Sequence, residues 1–337
     1  MCLNRKFGMR TGNIVFGVFL SFFAFSSRAQ AVSNTASFRM FPAEKYFRFN
    51  YDNDYFTATD YYYTQGVNLE VVNPSYNKFF LSKLLYVKKS GIRQYGIALE
   101  HNGYTPSTIS SSEIQYGDRP FAATIMLKSF AMNDHPEHRY RITSALTLGV
   151  MGPAAGGGDM QKEIHKWIQA TIPQGWQYQI SNDVVLNYEV GYERNLLNAR
   201  DRFVLNGTGA VRMGTLNTKV SAGMVIMFGC LNSKIASVFG DTRAPFTQTK
   251  KLRFHTYAQP IVNIVGYDAT LQGGLFNAGS PYTISSADVS RVTAEISYGV
   301  VATFNAMYIE YYKAAITKEW DTGTTHRWGG IRIGVRL

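Results

Sequence analysis

From residue 44 onward the chain alternates apolar and polar positions in runs of about ten to fifteen residues, broken by clusters of Asn, Asp, Gly and Ser. Tyr63, Gln65, Val67, Leu69 and Val71 oppose Thr64, Gly66, Asn68 and Glu70. Tyr95, Ile97 and Leu99 oppose Gly96, Ala98 and Glu100, and Phe121, Ala123, Ile125 and Leu127 oppose Ala122, Thr124 and Lys128. Later, Leu186, Tyr188, Val190 and Tyr192 oppose Asn187, Glu189, Gly191 and Glu193. The last run is the cleanest, with Ile331, Ile333, Val335 and Leu337 against Arg332, Gly334 and Arg336. Such a period of two predicts strands with one apolar face. A soluble sandwich alternates too, but two features favour a membrane. The runs are long enough for a tilted crossing, and Tyr and Phe gather near their ends, as in an aromatic girdle. The polar faces hold Glu, Arg, Asn and small residues, as a hydrated lumen requires. About twelve such runs, an even number, predict an all-β fold: a transmembrane antiparallel β-barrel of about 12 strands.

One stretch breaks the rhythm. Residues 149–179, GVMGPAAGGGDMQKEIHKWIQATIPQGWQYQ, begin as a glycine-rich loop and then take helical spacing. Asp159 is a candidate cap, and Met160, Ile164, Trp167 and Ile168 fall on one apolar side. Gln161 and His165, four residues apart, stack on one face. A short helical insert in one extracellular loop is therefore expected. Residues 232–250 read as a long exposed loop, and residues 267–288, with Leu271-Gln272-Gly273-Gly274, as a Gly/Ser-rich one.

Composition refines this picture. The chain has 337 residues, of which 14% are aromatic and 17% charged, consistent with one large β domain. Residues 1–30 stand apart. Arg5, Lys6 and Arg10 precede an apolar run from Ile14 to Phe25 that ends in Ser27-Arg28-Ala29, the pattern of a cleaved export signal and too short for a membrane anchor. Residues 31–337 then form a single outer-membrane barrel domain. Losing the four cations of the leader takes the formal charge from +11 to +7, which suits an anionic surface without specifying one. Of the two cysteines Cys2 leaves with the leader, so Cys230 stands alone and a disulfide framework is excluded. No later apolar stretch reaches the length of a transmembrane helix, so membrane insertion requires a closed barrel.

The six histidines are unequal. His135 and His138 sit in a polar turn, AMNDHPEH, and are expected to be solvated; His101, His255 and His326 fall at strand runs and read as lumenal or structural. His165 has neighbours that make a site: Gly156-Gly157-Gly158 allow close backbone approach, and Gln161 lies one turn earlier. Asn53 and Asp54 end the first strand in RFNYDNDYF, with Asp60 and then Tyr63-Thr64 beyond. Carboxylate and amide oxygens there suit a hard cation or, equally, a solvated turn. Gly117-Asp118-Arg119-Pro120 reads as a turn with a salt bridge ahead of an anion contact. The sequence has no G-x-S-x-G elbow, no H-E-x-x-H or paired cysteines, no P-loop and no nucleic-acid face.

These motifs, in order, resemble the outer-membrane lipid A 3′-O-deacylase family. The likeness runs from about Phe47 to Leu337 through Asn53-Asp54, Tyr63-Thr64 with Gly66, Gly117-Asp118-Arg119-Pro120-Phe121-Ala122, Gly152-Pro153, Gln161 and His165, Gly175-Trp176 with Gln179, and Leu271-Gln272-Gly273. The resemblance implies a carboxylic-ester hydrolase in the outer membrane of a Gram-negative bacterium. It would remove the 3′-linked acyloxyacyl chain from lipid A of lipopolysaccharide, with Ca2+ as cofactor. It implies that His165 is the general base, that Gln161, Asn53, Asp54 and Thr64 complete the catalytic site, and that Asn53 and Asp54 hold the metal. Arg119 would contact substrate. Imidazole titrates near neutrality and a cation polarises an ester carbonyl, so the pairing is chemically coherent. The chain departs from the family pattern twice: the loop 103–117 lacks Lys and Arg, and Thr171 stands near the place of an expected glutamate. The implied partners are lipopolysaccharide and outer-membrane lipids, without nucleic acid or an obligate protein. A non-catalytic porin-like barrel and an outer-membrane phospholipase are the competing readings.

Overall fold

The computed structural model of the chain describes residues 33–57, 61–199, 202–239 and 252–337. The leader, Asp60 and most of the 232–250 loop lie outside them. Twelve antiparallel strands close on themselves: β1 (Tyr46–Asn53), β2 (Tyr62–Val72), β3 (Ile92–Thr105), β4 (Ala122–His135), β5 (Tyr140–Met151), β6 (Asp183–Ala199), β7 (Phe203–Gly214), β8 (Asn217–Gly229), β9 (Arg253–Asp268), β10 (Val292–Phe304), β11 (Met307–Ile316) and β12 (His326–Arg336). Each pairs with its chain neighbours, and β1 pairs with β12 from Tyr46↔Arg336 to Asn53↔Gly329. Closure leaves no strand edge, which is the only way a sheet can satisfy its backbone in hydrocarbon. Among the described residues no helix is long and apolar enough to cross a membrane.

The alternation read from the sequence is the inside–outside alternation of the wall. Phe49, Leu69, Leu99, Leu127, Leu186, Ile331 and Ile333 are exposed on the outer face. Their neighbours Arg48, Glu70, Glu100, Arg332 and Lys128 are buried in the lumen. Those lumenal charges are paired: Arg48 with Glu70 at 2.7 Å, Lys128 with Glu100 at 2.5 Å, Arg141 with Asp134 at 2.5 Å. Glu310 accepts from both Arg39 at 3.0 Å and Arg332 at 2.9 Å.

Two departures from the strict pattern matter. In β2 the register against β3 shifts between Tyr63 and Gln65. The bulge leaves Tyr63 inside, 3.1 Å from Asn102 Oδ1, while Thr64 turns to the outer wall. Period-two counting had placed Thr64 with the lumenal Gly66 and Asn68; one inserted residue reverses it. Second, the 232–250 stretch starts as structure: Asn232 is buried and caps a short helix, α2 (Ser233–Phe239), that packs under the barrel mouth.

The lumen is filled from the end at which β1 begins and β12 ends. Residues 33–43 run inside the wall and are held by side chains of many strands. Asn34 Nδ2 donates to Glu70 at 2.6 Å, Arg48 to the Arg39 carbonyl at 2.7 Å, Arg141 to the Thr35 carbonyl at 3.0 Å, and His255 to the Phe38 carbonyl at 3.0 Å. Phe38 stacks on Tyr257 with ring centres 3.8 Å apart, and Ser37 donates to Glu193. Asn232 of the α2 cap donates to the Met40 carbonyl at 2.7 Å. What remains above this plug is a polar chamber of about 150 Å³ lined by Asp52, Glu189, Arg212, Lys219 and Glu295 among others. The opposite end carries the long connections 106–121, 152–182 and 269–291, and longer loops mark the extracellular side of such barrels.

Candidate active site on the outer wall

The helical insert is α1 (Gly157–Trp167). It lies against the outside of the barrel at the extracellular end, and glycine makes that possible. Gly157 and Gly158 are buried in the contact. A Cβ on Gly157 would overlap the Cβ of Ala123 on β4 and sit 3.1 Å from the Trp176 ring; one on Gly158 would sit 3.0 Å from the same indole. Gly156, in the left-handed region at φ 70°, is the N-cap. Asp159 therefore does not cap the helix; it lies in the first turn, where a carboxylate still complements the helix dipole.

At 100° per residue the helix has three sides. Gly157, Gly158 and Gln161 face the wall, with His165 on the same side. Asp159, Lys162, Glu163 and Lys166 form a charged side. On the apolar side Met160 and Ile164 are half-buried, while Trp167 is 85% exposed and Ile168 just beyond the helix 55%. An apolar stripe normally turns toward protein. Here it turns away, continuing the exposed apolar belt of Phe49, Leu69, Leu99 and Leu127 beneath it.

The wall and the helix are joined by one chain of hydrogen bonds. The Trp176 indole N–H donates to Gln161 Oε1 at 2.8 Å, which points Gln161 Nε2 at Thr64 Oγ1, 3.3 Å away. Asn53 Nδ2 in turn donates to the Thr64 carbonyl at 2.6 Å and to Tyr51 at 3.2 Å. Asp54, 2% exposed, follows Asn53 in the 3-10 turn Asp54–Thr57. Thus Asn53, Thr64 and Gln161 are in direct contact, Asp54 adjoins them in the chain, and His165 stands one turn beyond Gln161.

His165 is positioned by its own loop. Its Nδ1 lies 2.5 Å from the Thr171 carbonyl oxygen. A carbonyl only accepts, so Nδ1 is the donor in this contact, and in the neutral imidazole the lone pair is then on Nε2. The backbone of Thr171 thus supplies the acceptor that orients the imidazole.

Arg119 is elsewhere. It is 1% exposed at the lumen mouth, ion-paired with Glu319, donating to Thr270 Oγ1 at 2.7 Å and lying 4.5 Å over the Tyr104 ring. The structure does not bring it to the outer-wall group; the salt-bridged turn is the reading the geometry favours. His135 is also not solvated: it is buried and stacked on Tyr140 at 4.3 Å. His101 is the residue the sequence reading undervalued. It faces outward and donates from Nε2 to the Ala155 carbonyl at 3.0 Å, tying the start of the insert to β3. Its parity with Ile97 and Leu99 was the available signal, since a histidine on a lipid-facing row needs a polar partner.

Gly157→Ala is expected to push α1 off the wall, because the obstructing atom is a Cβ on a rigid strand. Overpacking of this kind costs about 1–3 kcal/mol. Ester hydrolysis by the variant, if this is an active site, should fall further than the change in its thermal stability explains. Unchanged activity would show that α1 need not touch β4.

A closed twelve-stranded barrel with an apolar outer belt and long loops at one end defines an integral outer-membrane protein. A profile of the family described as outer membrane protein LpxR matches residues 15–337. The chain belongs to that family, in keeping with its resemblance to the lipid A 3′-O-deacylases. A search of curated proteins returns no match. Among solved structures, LpxR from Salmonella typhimurium is similar with a TM-score of 0.70 at 18% identity, over 87% of this chain and 100% of that one. The β domain of the Bordetella autotransporter BrkA aligns at a TM-score of 0.45 and 9% identity, over 87% and 99%.

Proposed function

We propose that this protein is a calcium-dependent ester hydrolase that removes the 3′-linked acyloxyacyl chain from lipid A of lipopolysaccharide, with His165 as general base. The observation that supports the reading is the 2.5 Å approach of His165 Nδ1 to the Thr171 carbonyl oxygen, which leaves Nε2 as the ring nitrogen available to act as base. In the reaction a water oxygen attacks the ester carbonyl while its proton passes to Nε2. The tetrahedral intermediate then expels the sugar 3′-oxygen, which takes that proton back from His165, and the fatty acid leaves. Gln161 and Thr64 hold the helix at the wall, and the exposed belt of β1–β4 lets an acyl chain reach the base without leaving the bilayer.

The residues present fit a hard cation. Asp54 offers a buried carboxylate, and Asn53 Oδ1, which accepts the Tyr55 N–H at 2.7 Å, retains a second lone pair. Among the described residues no trio of His, Cys, Asp or Glu clusters in metal-ligating geometry. Asp54 and Asn53 themselves offer oxygen donors, the ligand type calcium takes when water and substrate oxygens complete its shell. Bound there, the ion would polarise the ester carbonyl and stabilise its developing negative charge. Asp54→Ala should weaken both calcium binding, read by calorimetry, and activity, with partial recovery in excess calcium; coincident titrations for variant and wild type would remove Asp54 from the metal site.

Two features speak against the competing readings. The plug of residues 33–43 occupies the path a porin would keep open, and the side-chain partner of His165 is a carbonyl rather than a nucleophilic serine. Lipid A mass from membranes incubated with the protein and calcium tests the proposal directly. Intact lipid A with fatty acid released from phospholipid would make the protein a phospholipase instead.

A further inference from the structure

At the periplasmic end most connections are tight, such as the two-residue turn 305–306. The β2–β3 connection, residues 73–91, is not. It makes two 3-10 turns, Pro74–Lys78 and Phe80–Leu84, and folds back along the outside of the wall. Leu81 and Leu85 are buried against Tyr95, Ala131 and Leu146, whose side chains face away from the lumen. Hydrogen bonds fix it there. Ser82 meets Ser129 at 3.0 Å, Tyr188 donates to the Leu84 carbonyl at 3.0 Å, and Ser144 donates to the Tyr86 carbonyl at 2.8 Å. The segment is therefore a built part of the exterior rather than a slack loop.

Its free side has a definite chemistry. Phe80 is 64% exposed, Leu84 62% and Tyr86 50%, with Ile92 beside them at the start of β3. Lys78, Lys83, Lys88, Lys89 and Arg93 surround these apolar side chains and are all exposed. Residues 73–93 contain no Asp or Glu. Lys88 lies 5.2 Å over the ring of Tyr140, which adjoins Tyr192 at 5.6 Å. Those rings mark the lower aromatic girdle, where hydrocarbon gives way to headgroups. The patch is thus continuous with the lipid-facing belt and sits at headgroup depth.

Bulky apolar side chains rimmed by cations alone are the signature of an interfacial segment on an anionic lipid surface. In an outer membrane this end of the barrel meets the phospholipid leaflet, not the lipopolysaccharide one. We propose that residues 73–93 are a docking surface for anionic phospholipids of the periplasmic leaflet. Phe80, Leu84 and Tyr86 enter the acyl region, and Lys78, Lys83, Lys88 and Lys89 meet headgroup phosphates.

The test uses the full-length barrel in nanodiscs of phosphatidylcholine with phosphatidylglycerol. After extraction into neutral detergent, lipid bound to the protein is quantified by mass spectrometry. Each lysine near an anionic surface contributes on the order of fivefold, so K78Q/K83Q/K88Q/K89Q should retain phosphatidylglycerol at least about tenfold less than wild type. The extracellular pair K162Q/K166Q should retain the wild-type amount. Equal phosphatidylglycerol on wild type and the fourfold variant overturns the proposal, as does an equal loss in K162Q/K166Q. A second measurement needs no variant: amide exchange over residues 79–86 should be slower in discs containing phosphatidylglycerol than in pure phosphatidylcholine. Identical exchange would reassign the patch to a protein partner and end the lipid reading.

Discussion

His165→Ala should lower the rate of release of the 3′ acyloxyacyl chain by about 10²- to 10⁴-fold, the span that a positioned general base contributes. The imidazole is half-exposed at the edge of α1, and its side-chain hydrogen bond goes to the Thr171 carbonyl within the same loop. Truncation therefore removes the base without opening a cavity or orphaning a buried group, and the barrel should melt as wild type does. The informative comparison is His165→Gln. Glutamine can still donate to the Thr171 carbonyl but offers no basic nitrogen, so it should be as inactive as alanine. Lipid A mass spectra from membranes incubated with each variant read the outcome. Retention of more than about a tenth of the wild-type rate in both would place the base elsewhere.

The second large effect concerns stability. Glu310, fully buried on β11, accepts hydrogen bonds from Arg39 of the plug, Arg332 of β12, Tyr257 of β9 and Tyr308 of its own strand, all between 2.5 and 3.2 Å. Glu310→Ala would leave two guanidinium groups, at 6% and 1% side-chain exposure, without this anion. Removing one partner of such a set costs about 3–5 kcal/mol. The urea midpoint of the refolded barrel should drop accordingly, and Glu310→Gln should recover only the neutral hydrogen bonds. The double variant Arg39→Met/Glu310→Ala should be less destabilised than Glu310→Ala alone, since one orphaned cation is gone. Equal midpoints for wild type and Glu310→Ala would mean water reaches the cluster freely.

The two predictions draw on parts of the molecule that were unequally legible in the chain. Strand alternation was plain because lipid and lumen impose opposite demands on adjacent residues: Leu99 beside Glu100, Ile331 beside Arg332. The helix was legible for the same reason, since its polar and apolar residues recur at 3.6. Which way its apolar side points was not. Burial on a barrel exterior inverts the usual rule, so the glycine face met protein and Trp167 met solvent or lipid. Thr64 was misplaced by counting in twos, because a single bulged residue is invisible to periodicity yet decides which face the hydroxyl serves. Arg119 drew notice by its motif, while its pairing with Glu319 depends on contacts 200 residues away in sequence that no local pattern encodes. The plug was unreadable for the same reason: Phe38, Arg39 and Met40 show no strand or helix periodicity, and their partners lie on distant strands.

That plug also sets a problem of order for the folding chain. Arg39 meets Glu310 across 271 residues of sequence, Ser37 meets Glu193 across 156, and Phe38 meets His255 across 217. None of these contacts has a receptor until most strands are paired, yet residue 46 already begins the strand that must zip to β12. Residues 33–43 are therefore among the last to find their places, and loop-closure entropy delays them further. The seam between the first and last strands and the filling of the interior therefore have to be solved together.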